Sequence, residues 1–434
     1  MNKQRKHYMQ GEEILAKEEI TQDRLLSRYR ALDLTDEKGM MCGKILADMG
    51  MDVIKLEPPG GDPARNIGPF YHGITDPEKS LSWLAFNMNK RGITLNLNTE
   101  DGRQIFKRLI QKVDIVIESF PVGFLGRLGL SYSDLIQINR QIILASITGF
   151  GQTGPYKDFK APDIVCMAMG GNMNLTGDPD HPPLRIGVPQ AYYHAGGEAA
   201  IACLGALWHR EMTGEGQCID VSAQDSVAWL GFYNMAVWEI SQSKITRLGA
   251  ERLSGNGVKF RFLFPCADGF VSFIPLGGET RAESQKKLVD WMDREGLADD
   301  FIKNFDWASH TAMKSTNELS ERMSKIFKRF FLTKTKKELF DFAIKNGCFI
   351  APINTTEDIV KSEHFQARGF WVEVEHPELN TAITYPGFPY SFSETPCRII
   401  RRSPLIGEHN SEILGRELGL TQDELITLKS GGII

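Results

Sequence analysis

Residues 148–226 read TGFGQTGPYKDFKAPDIVCMAMGGNMNLTGDPDHPPLRIGVPQAYYHAGGEAAIACLGALWHREMTGEGQCIDVSAQDS. The segment begins with a loop rich in glycine and proline, where the backbone can approach a ligand closely because glycine has no Cβ atom. A polar turn at 176–183 leads to a predicted helix at 195–208, which is rich in small residues. A short predicted strand, Cys218–Ser222, follows. Because small residues let a helix pack closely, the segment predicts a helix that packs on a sheet or on a partner helix.

Towards the amino terminus, apolar runs alternate with helical patterns. Predicted strands lie at 31–34, 52–57, 93–97, 114–118 and 142–147, and predicted helices at 40–49 and 100–113. This alternation predicts an α/β fold with a parallel sheet, which binds ligands beyond the carboxyl ends of its strands. A dinucleotide enzyme would show the same alternation, but the turn after the first strand lacks the GxGxxG that seats a pyrophosphate. We therefore predict a Rossmann-like domain and do not favour a nicotinamide enzyme.

The composition is that of an ordinary globular protein, with 42% hydrophobic and 24% charged residues. The formal net charge of the 434 residues is −5 and the basic residues are scattered, so we expect no nucleic-acid partner. No apolar run reaches the ~18 residues of a membrane-spanning helix. We therefore expect neither a nucleic acid nor a membrane as partner.

The seven cysteines are widely spaced, and no CxxC or Cys/His spacing typical of a metal site occurs. We interpret them as buried thiols in a reducing compartment and expect no bound metal. Residues 1–28 are highly charged and lack the apolar core of a signal peptide. The expected location is therefore the cytoplasm.

The pattern changes after residue 226. Aromatic and apolar residues predict a long helix that leaves the first domain, and a predicted hairpin at 264–273 opens a smaller one. The sequence thus predicts a charged amino-terminal extension at 1–28, a large Rossmann-like domain at 29–225 completed by 395–434, a linker helix with a glycine loop at 226–258, a small α+β domain at 259–360 and a return segment at 361–394.

Short motifs along the chain form a recognisable series. Within 148–226 they are Asp163, Ala168, Gly171, Thr176-Gly177, Pro182-Pro183, Gly196, Ala206-Leu207, Arg210 and TGEGQ at 213–217. Elsewhere they are VIKLEPPGGDPAR, NMNKRGITLNL and ESFPVGFLGRLGLSYSDL. The series resembles the class III CoA-transferases, the superfamily of formyl-CoA and carnitine CoA-transferases, although Pro162 and Met167 replace the Tyr and Gln of the pattern. The resemblance covers about 31–434 and implies an interlocked dimer.

The resemblance implies that coenzyme A is a substrate, with no metal or redox cofactor, and that Leu95, Phe120, Arg127 and Lys160 contact it. These residue types suit the ligand, since its phosphates attract Arg and Lys and its adenine fits an apolar or aromatic wall. The alternative is that Arg127 and Lys160 are ordinary solvated surface charges. Ser119 stands where the family has Asn, and the turn PPGGDPAR is expected to present the guanidinium of Arg65.

Class III CoA-transferases use an aspartate carboxylate as covalent nucleophile, and the matching position here is Tyr192. A phenol has a pKa of ~10 and is mostly protonated at neutral pH, so it is a poor replacement. Asp163 is the fallback nucleophile, although we expect it to cap a helix or hold a loop. His194 is either a shifted base or a hydrogen-bonding residue. The α-methylacyl-CoA racemases are disfavoured, because Pro162 and Tyr192 replace their His and acid.

A chain with the CoA motifs but no nucleophile is expected to be a noncatalytic subunit. The resemblance then implies a paralogous subunit that carries the catalytic Asp, as in the two-subunit benzylsuccinate CoA-transferases, which move CoA from succinyl-CoA to an aromatic succinate. One alternative is an active homodimeric transferase in which Asp163 is the relocated nucleophile. The other is a CoA-binding structural or regulatory protein.

Overall fold

The computed structural model describes residues 24–254 and 256–434, so most of the charged extension predicted at 1–28 lies outside the described residues. The chain forms two compact units. The first contains the residues up to Asn172 with Ile186–Tyr233 and Gln366–Ile434, and the second contains Met173–Arg185 and Asn234–Phe365. The domain boundaries predicted from the sequence stay predictions, because compactness alone does not define a folding domain.

A parallel sheet of six strands is the centre of the first unit, as the sequence predicted. The strands are β1 (Arg30–Leu34), β2 (Asp52–Glu57), β3 (Arg91–Thr94), β4 (Ile115–Glu118), β5 (Ile143–Thr148) and β6 (Cys218–Ser222), in the spatial order β3-β2-β1-β4-β5-β6. The central strands are buried along their whole length, which explains their near-continuous Val, Ile and Leu content. The chain leaves β1 in one direction and β4 in the other, so a crevice opens between their carboxyl ends.

Helices surround this sheet. They are α1 (Met40–Asp48), α2 (Leu81–Phe86), α3 (Glu100–Ile110), α4 (Phe124–Arg127), α5 (Tyr132–Ile138), α6 (Asp163–Met169), α7 (Ala191–Thr213) and α8 (Ala223–Leu230). The small-residue helix predicted at 195–208 is α7, which begins four residues earlier and ends five residues later than predicted. At Gly196 an added Cβ would lie 2.8 Å from Cβ of Met41 and 3.1 Å from N of Cys42. Glycine therefore lets α7 pack directly on the backbone of α1.

The prediction of one long helix after residue 226 is wrong. The structure has α8 and then α9 (Phe232–Ser241), with Gly231 between them. The N–H of Gly231 donates to the carbonyl of Ala228, which closes α8 with a tight turn. Glycine weakens a helix interior because its backbone loses the most conformational freedom, so the break falls at this residue.

The second unit is a small α+β structure with a phenylalanine-rich core. Its strands are β7 (Glu251–Leu253), β8 (Lys259–Arg261), β9 (Leu263–Cys266), β10 (Gly269–Phe273) and β11 (Ile350–Pro352), and its helices after α9 are α10 (Ala282–Arg294), α11 (Asp300–Lys303), α12 (Asn317–Phe331), α13 (Lys336–Asn346) and α14 (Thr356–Val360). The hairpin predicted at 264–273 is the antiparallel pair β9 and β10. Rings of Phe264, Phe273 and Phe331 meet edge to face, so the small sheet packs on α12 through aromatic contacts.

The last part of the chain returns to the first unit. After α15 (Glu363–Ala367) it forms the hairpin β12 (Trp371–His376) and β13 (Thr381–Pro386), a π-helical segment at Ser411–Glu417 and α16 (Gln422–Ser430). Arg91 of β3 donates to Glu412 at 2.6 Å and also to Glu417, which ties this segment to the edge of the sheet. In the part of the chain that the structure describes, no helix has the length and apolar character needed to span a bilayer.

Candidate functional site

Two adjoining cavities lie near the carboxyl ends of β1, β4 and β5. The larger has a volume of about 630 Å³ and the smaller of about 410 Å³. Lys38, Ser119, Phe120 and Pro121 line both cavities, so the loop after β4 is their common wall. Open α/β sheets bind ligands where the strand order reverses, and these cavities lie at that reversal.

The fold brings the residues named from the sequence together around these cavities. Phe120, Arg127, Lys160 and Tyr192 line the larger cavity, and Leu95 lines the smaller one together with Phe120. Their roles stay predictions, but one ligand that occupies both cavities could touch every one of them.

The larger cavity has an excess of positive charge. Its charged lining residues are Lys38, Glu37, Arg127, Lys157, Asp158 and Lys160. Lys38 is already paired with Asp36. The side chains of Arg127, Lys157 and Lys160, hereafter the rim cations, are exposed and form no ion pair within 24–254 and 256–434. Unpaired cations at a cavity suit an anionic ligand with several phosphates.

The smaller cavity offers an apolar wall. The rings of Phe120 and Phe124 lie 4.5 Å apart at an angle of 31°, and Leu56 and Leu95 line the same cavity. A flat heterocycle such as adenine gains free energy by burying its faces against such groups. The two cavities together therefore combine an apolar end with a cationic end.

Glu118 holds the loop that separates the cavities, and sequence reasoning missed it. Its Oε2 accepts from the N–H of Phe120 at 2.6 Å, directly after β4 ends. Ser119 then fixes the loop to the neighbouring turn, because its Oγ donates to Asp36 at 2.7 Å. Burial raises the pKa of Glu118 to about 7, despite the opposing hydrogen bonds from Ser146 and Phe120. The only feature of the sequence that pointed to this role of Glu118 was an acidic residue at the carboxyl end of a central strand.

Tyr192 lies in the first turn of α7 with its ring buried. Its hydroxyl donates to the carbonyl of Ala161 at 2.5 Å, and burial raises its pKa well above the ordinary value. A Cβ added at Gly149 would lie 2.0 Å from Cβ of Ala161 and 3.3 Å from the tyrosine hydroxyl, so ring and loop are in close contact. The phenol is therefore a hydrogen-bonded part of the wall of the larger cavity.

Asp163 and His194 are not lining residues of either cavity. Oδ1 of Asp163 accepts from the N–H groups of Gln190 and Ala191, at 2.7 and 2.8 Å, so it caps the start of α7. Its Oδ2 is buried and has no hydrogen-bond partner among the described residues. His194 is half-buried one turn into α7.

The expectation that Arg65 is presented to a ligand is wrong. Its guanidinium is fully buried, donates to both oxygens of Glu57 at 2.6 and 2.8 Å, and lies 3.9 Å from the ring centre of Trp83. A bidentate carboxylate and an aromatic face already satisfy this group, so Arg65 stabilises the turn after β2.

A second buried group of charges lies beneath the cavities. Nζ of Lys90 donates to Asp33 at 2.7 Å, and Nζ of Lys55 lies 3.6 Å from Asp33. These three residues, hereafter the buried cluster, are completely inaccessible to solvent. Lys55 and Lys90 hold the pKa of Asp33 at about 2, overcoming the opposing effect of burial. Oδ1 of Asp33 also accepts from N and Oγ1 of Thr35, which shapes the turn that leads to Asp36 and Lys38.

No group of three or more His, Cys, Asp or Glu side chains that could hold a metal ion occurs among residues 24–254 and 256–434. The residues around the cavities offer hydrogen-bonding groups, cations and apolar surface.

Comparison with known proteins identifies the family and the fold. The family described as CoA-transferase family III matches residues 26–410, which is most of the chain. The chain belongs to CoA-transferase family III. The activity of this family is CoA transfer, the movement of coenzyme A between an acyl-CoA and a carboxylic acid, and membership assigns the family III chain to a CoA-transferase enzyme.

Curated relatives and solved structures agree with this membership. The family III chain is 33% identical over 388 residues to the succinyl-CoA:(R)-benzylsuccinate CoA-transferase subunit BbsE of Thauera aromatica, which covers 89% of this chain and 93% of BbsE. It is 35% identical over 426 residues to a formyl-CoA:oxalate CoA-transferase of Streptomyces avermitilis, covering 94% and 99% of the two chains. A crystal structure of a CAIB/BAIF family protein from Brucella suis matches with a TM-score of 0.78 at 29% identity, over 91% of this chain and all of that one.

Proposed function

We propose that this chain is the noncatalytic subunit of a heteromeric CoA-transferase. The proposed donor is succinyl-CoA and the proposed acceptor is benzylsuccinate or a related acid, because BbsE is a subunit of an enzyme with those substrates. The observation that carries the proposal is the hydrogen bond of Tyr192. Its buried hydroxyl donates to the carbonyl of Ala161. The reducing cytoplasm is the expected location, since the seven cysteines are free.

The chemistry explains why this tyrosine matters. In the family reaction a carboxylate oxygen attacks the thioester carbonyl, the C–S bond breaks, and CoA leaves as a thiolate while a mixed anhydride remains on the enzyme. The nucleophile must therefore be an anion at neutral pH. Burial raises the pKa of Tyr192, which favours the protonated phenol, and its hydroxyl already donates a hydrogen bond to the carbonyl of Ala161. A partner subunit with aspartate at the matching position would supply the missing carboxylate.

We also propose that the two cavities of this chain bind coenzyme A. Arg127 and Lys160 would pair with its phosphates, and Leu95 and Phe120 would contact the adenine in the smaller cavity. Support comes from the exposed, unpaired state of these cations and from the apolar wall formed around Phe120 and Phe124.

The proposed partner is a paralogous CoA-transferase subunit that interlocks with this chain. Along α7 the side chains of Ile201, Trp208 and Met212 lie on one helix face and are 65%, 71% and 71% exposed. A soluble globular chain rarely leaves such a large apolar face in water, so a second polypeptide is the natural cover. The partner remains to be identified by co-purification.

The test is a transfer assay with succinyl-CoA and benzylsuccinate. The chain is purified alone and also after co-expression with its paralogue. We expect activity only in the co-expressed sample, and we expect Tyr192→Phe to reduce that activity far less than the loss of a nucleophile would, because the change removes only the hydrogen bond to the carbonyl of Ala161. Replacing the partner's aspartate by asparagine should abolish transfer. Activity of the isolated chain would overturn the noncatalytic role.

A second candidate is an active homodimer in which Asp163 is the nucleophile. The observation in its favour is the buried Oδ2 atom of Asp163, which has no hydrogen-bond partner among the described residues. This candidate predicts an acyl adduct on Asp163 that hydroxylamine removes, and loss of the adduct in Asp163→Asn. Binding of CoA with no transfer in either sample would instead indicate a structural or regulatory CoA-binding protein.

A further inference from the structure

The last residue of β5, Thr148, has a side chain that the fold leaves unused. It is 6% exposed and lines the larger cavity. Its Oγ1 is buried and makes no hydrogen bond to any other residue within 24–254 and 256–434. A buried hydroxyl without a partner costs free energy, so such groups are uncommon unless a ligand completes them.

Neighbouring polar groups differ from Thr148 in this respect. Ser146 lies two residues earlier on the same face of β5 and binds the carboxyl group of Glu118. The hydroxyl of Ser222, opposite Thr148 on β6, accepts from the N–H of Asp225. The hydroxyl of Tyr192 donates a hydrogen bond to the carbonyl of Ala161. Protein atoms satisfy each of these groups, whereas the hydroxyl of Thr148 has no hydrogen-bond partner among the described residues.

The position of Thr148 is fixed by the sheet and not by a loop. Its backbone is in register with Ser222 in the parallel ladder between β5 and β6. The strand holds the backbone of Thr148 in place, and rotation about χ1 turns the hydroxyl, whose oxygen is buried, towards the cavity that the residue lines. This rigidity distinguishes Thr148 from the exposed rim cations, which can follow a ligand.

Burial indicates which part of a ligand Thr148 would meet. Arg127, Lys157 and Lys160 are exposed, as suits groups that bind phosphates, whereas Thr148 and Tyr192 are buried. A CoA thioester that places its phosphates at the exposed cations extends its acyl group towards the buried residues. Oxygen atoms of an acyl group are acceptors, and they match the free O–H donor.

We propose that the hydroxyl of Thr148 donates a hydrogen bond to an oxygen of the acyl group of a bound acyl-CoA. This inference rests on the proposed function in one respect, namely that the larger cavity binds CoA esters. It adds a residue that recognises the acyl group and distinguishes an acyl-CoA from free CoA.

The test compares Thr148→Val with Thr148→Ser by calorimetry, using the full chain in the assembly in which it purifies. Valine keeps the branched shape and suits a strand, while serine keeps the hydroxyl. The ligands are free CoA, acetyl-CoA and succinyl-CoA. We expect the valine variant to bind both esters about 5-fold more weakly, since one neutral hydrogen bond is lost, and to bind free CoA as the wild type does. The serine variant should resemble the wild type.

A second measurement separates this role from a structural one. In the absence of ligand, Thr148→Val removes an unpaired buried hydroxyl, so its melting temperature should equal or exceed that of the wild type. Weaker binding of succinyl-CoA alone would also support the inference and would assign the carboxylate as the acceptor. Equal affinities of wild type and valine variant for every ligand, an equal loss for free CoA, or a lower melting temperature would overturn it. If the wild type binds none of the three ligands, CoA binding by this chain fails as well.

Discussion

Two groups of charges in the first unit use the same residue types for different purposes. In the buried cluster, Lys55 and Lys90 surround Asp33 and have no contact with solvent. The rim cations Arg127 and Lys160 are exposed and unpaired among the described residues. Lys55, Lys90 and Arg127 all come from motifs that carry the family resemblance, so the motifs alone do not separate the two groups. Pairing and burial decide which charges build the site and which are left for a ligand.

The comparison also shows how the two groups cooperate. Asp33 binds Thr35 and so shapes the turn that carries Asp36 and Lys38 to the cavities. The buried cluster thus acts on the ligand only through the backbone. Substitutions in it should change stability first, whereas substitutions of the rim cations should change affinity alone.

The largest effect is expected from Asp33→Asn. The change leaves Lys90 without an ion-pair partner among the described residues and Lys55 with only Asp62, 3.7 Å away, and it should lower the free energy of unfolding by about 3–5 kcal/mol, which urea unfolding can measure. Asp341→Asn is the matched control, because it breaks an exposed pair with Lys337 and should leave the free energy of unfolding nearly unchanged. Equal effects of the two substitutions would show that burial does not distinguish the two groups.

Glu118 is an intermediate case, since it is buried but its hydrogen-bond partners are Ser146 and Phe120, not a cation. Its folded-state pKa of about 7 is above the ordinary value of 4.5. Its stabilising contribution is therefore complete below pH 4.5 and is lost as the pH rises through 7. The loss is about 3 kcal/mol at most. Unfolding of wild type and Glu118→Gln at pH 5 and pH 8 should show this loss only in the wild type, and parallel pH dependences would contradict it.

The rim cations should give the smallest change in stability and a clear change in binding. Arg127→Ala and Lys160→Ala should each weaken CoA binding about 10-fold, with an effect that decreases as salt is added. Their melting temperatures should match that of the wild type. Arg140→Ala is the control, because this exposed arginine pairs with Glu215 and lines neither cavity. Unchanged affinity for CoA in both variants would show that Arg127 and Lys160 are ordinary surface charges.

Much of the fold could be predicted because the apolar runs are regular. The strands β2 and β6 have the predicted limits, and the parallel order follows from strands that alternate with helices. The errors have local causes. Gly231 breaks a segment whose apolar residues alone indicated one helix, and Arg65 is buried by Glu57 and Trp83, which lie elsewhere in the sequence.

The candidate site was less accessible to sequence reasoning. Arg127 and Lys160 were named through the resemblance, while composition alone favoured solvated charges for both. Glu118 and Thr148 were missed, because their importance depends on partners that only the fold supplies or withholds. A hydroxyl without a hydrogen bond is invisible in a sequence, since neither spacing nor periodicity reports it.

The contact between Tyr192 and the loop has a consequence for the history of the protein. The side chain of Tyr192 fills space against Gly149 and Ala161, and its hydroxyl donates a hydrogen bond to the carbonyl of Ala161. A mutation of this tyrosine to aspartate would therefore remove a support of the loop at the same moment as it introduced a carboxylate. We therefore expect a lineage with this tyrosine to need at least two coordinated changes before it could place a carboxylate at this position and still keep the loop supported.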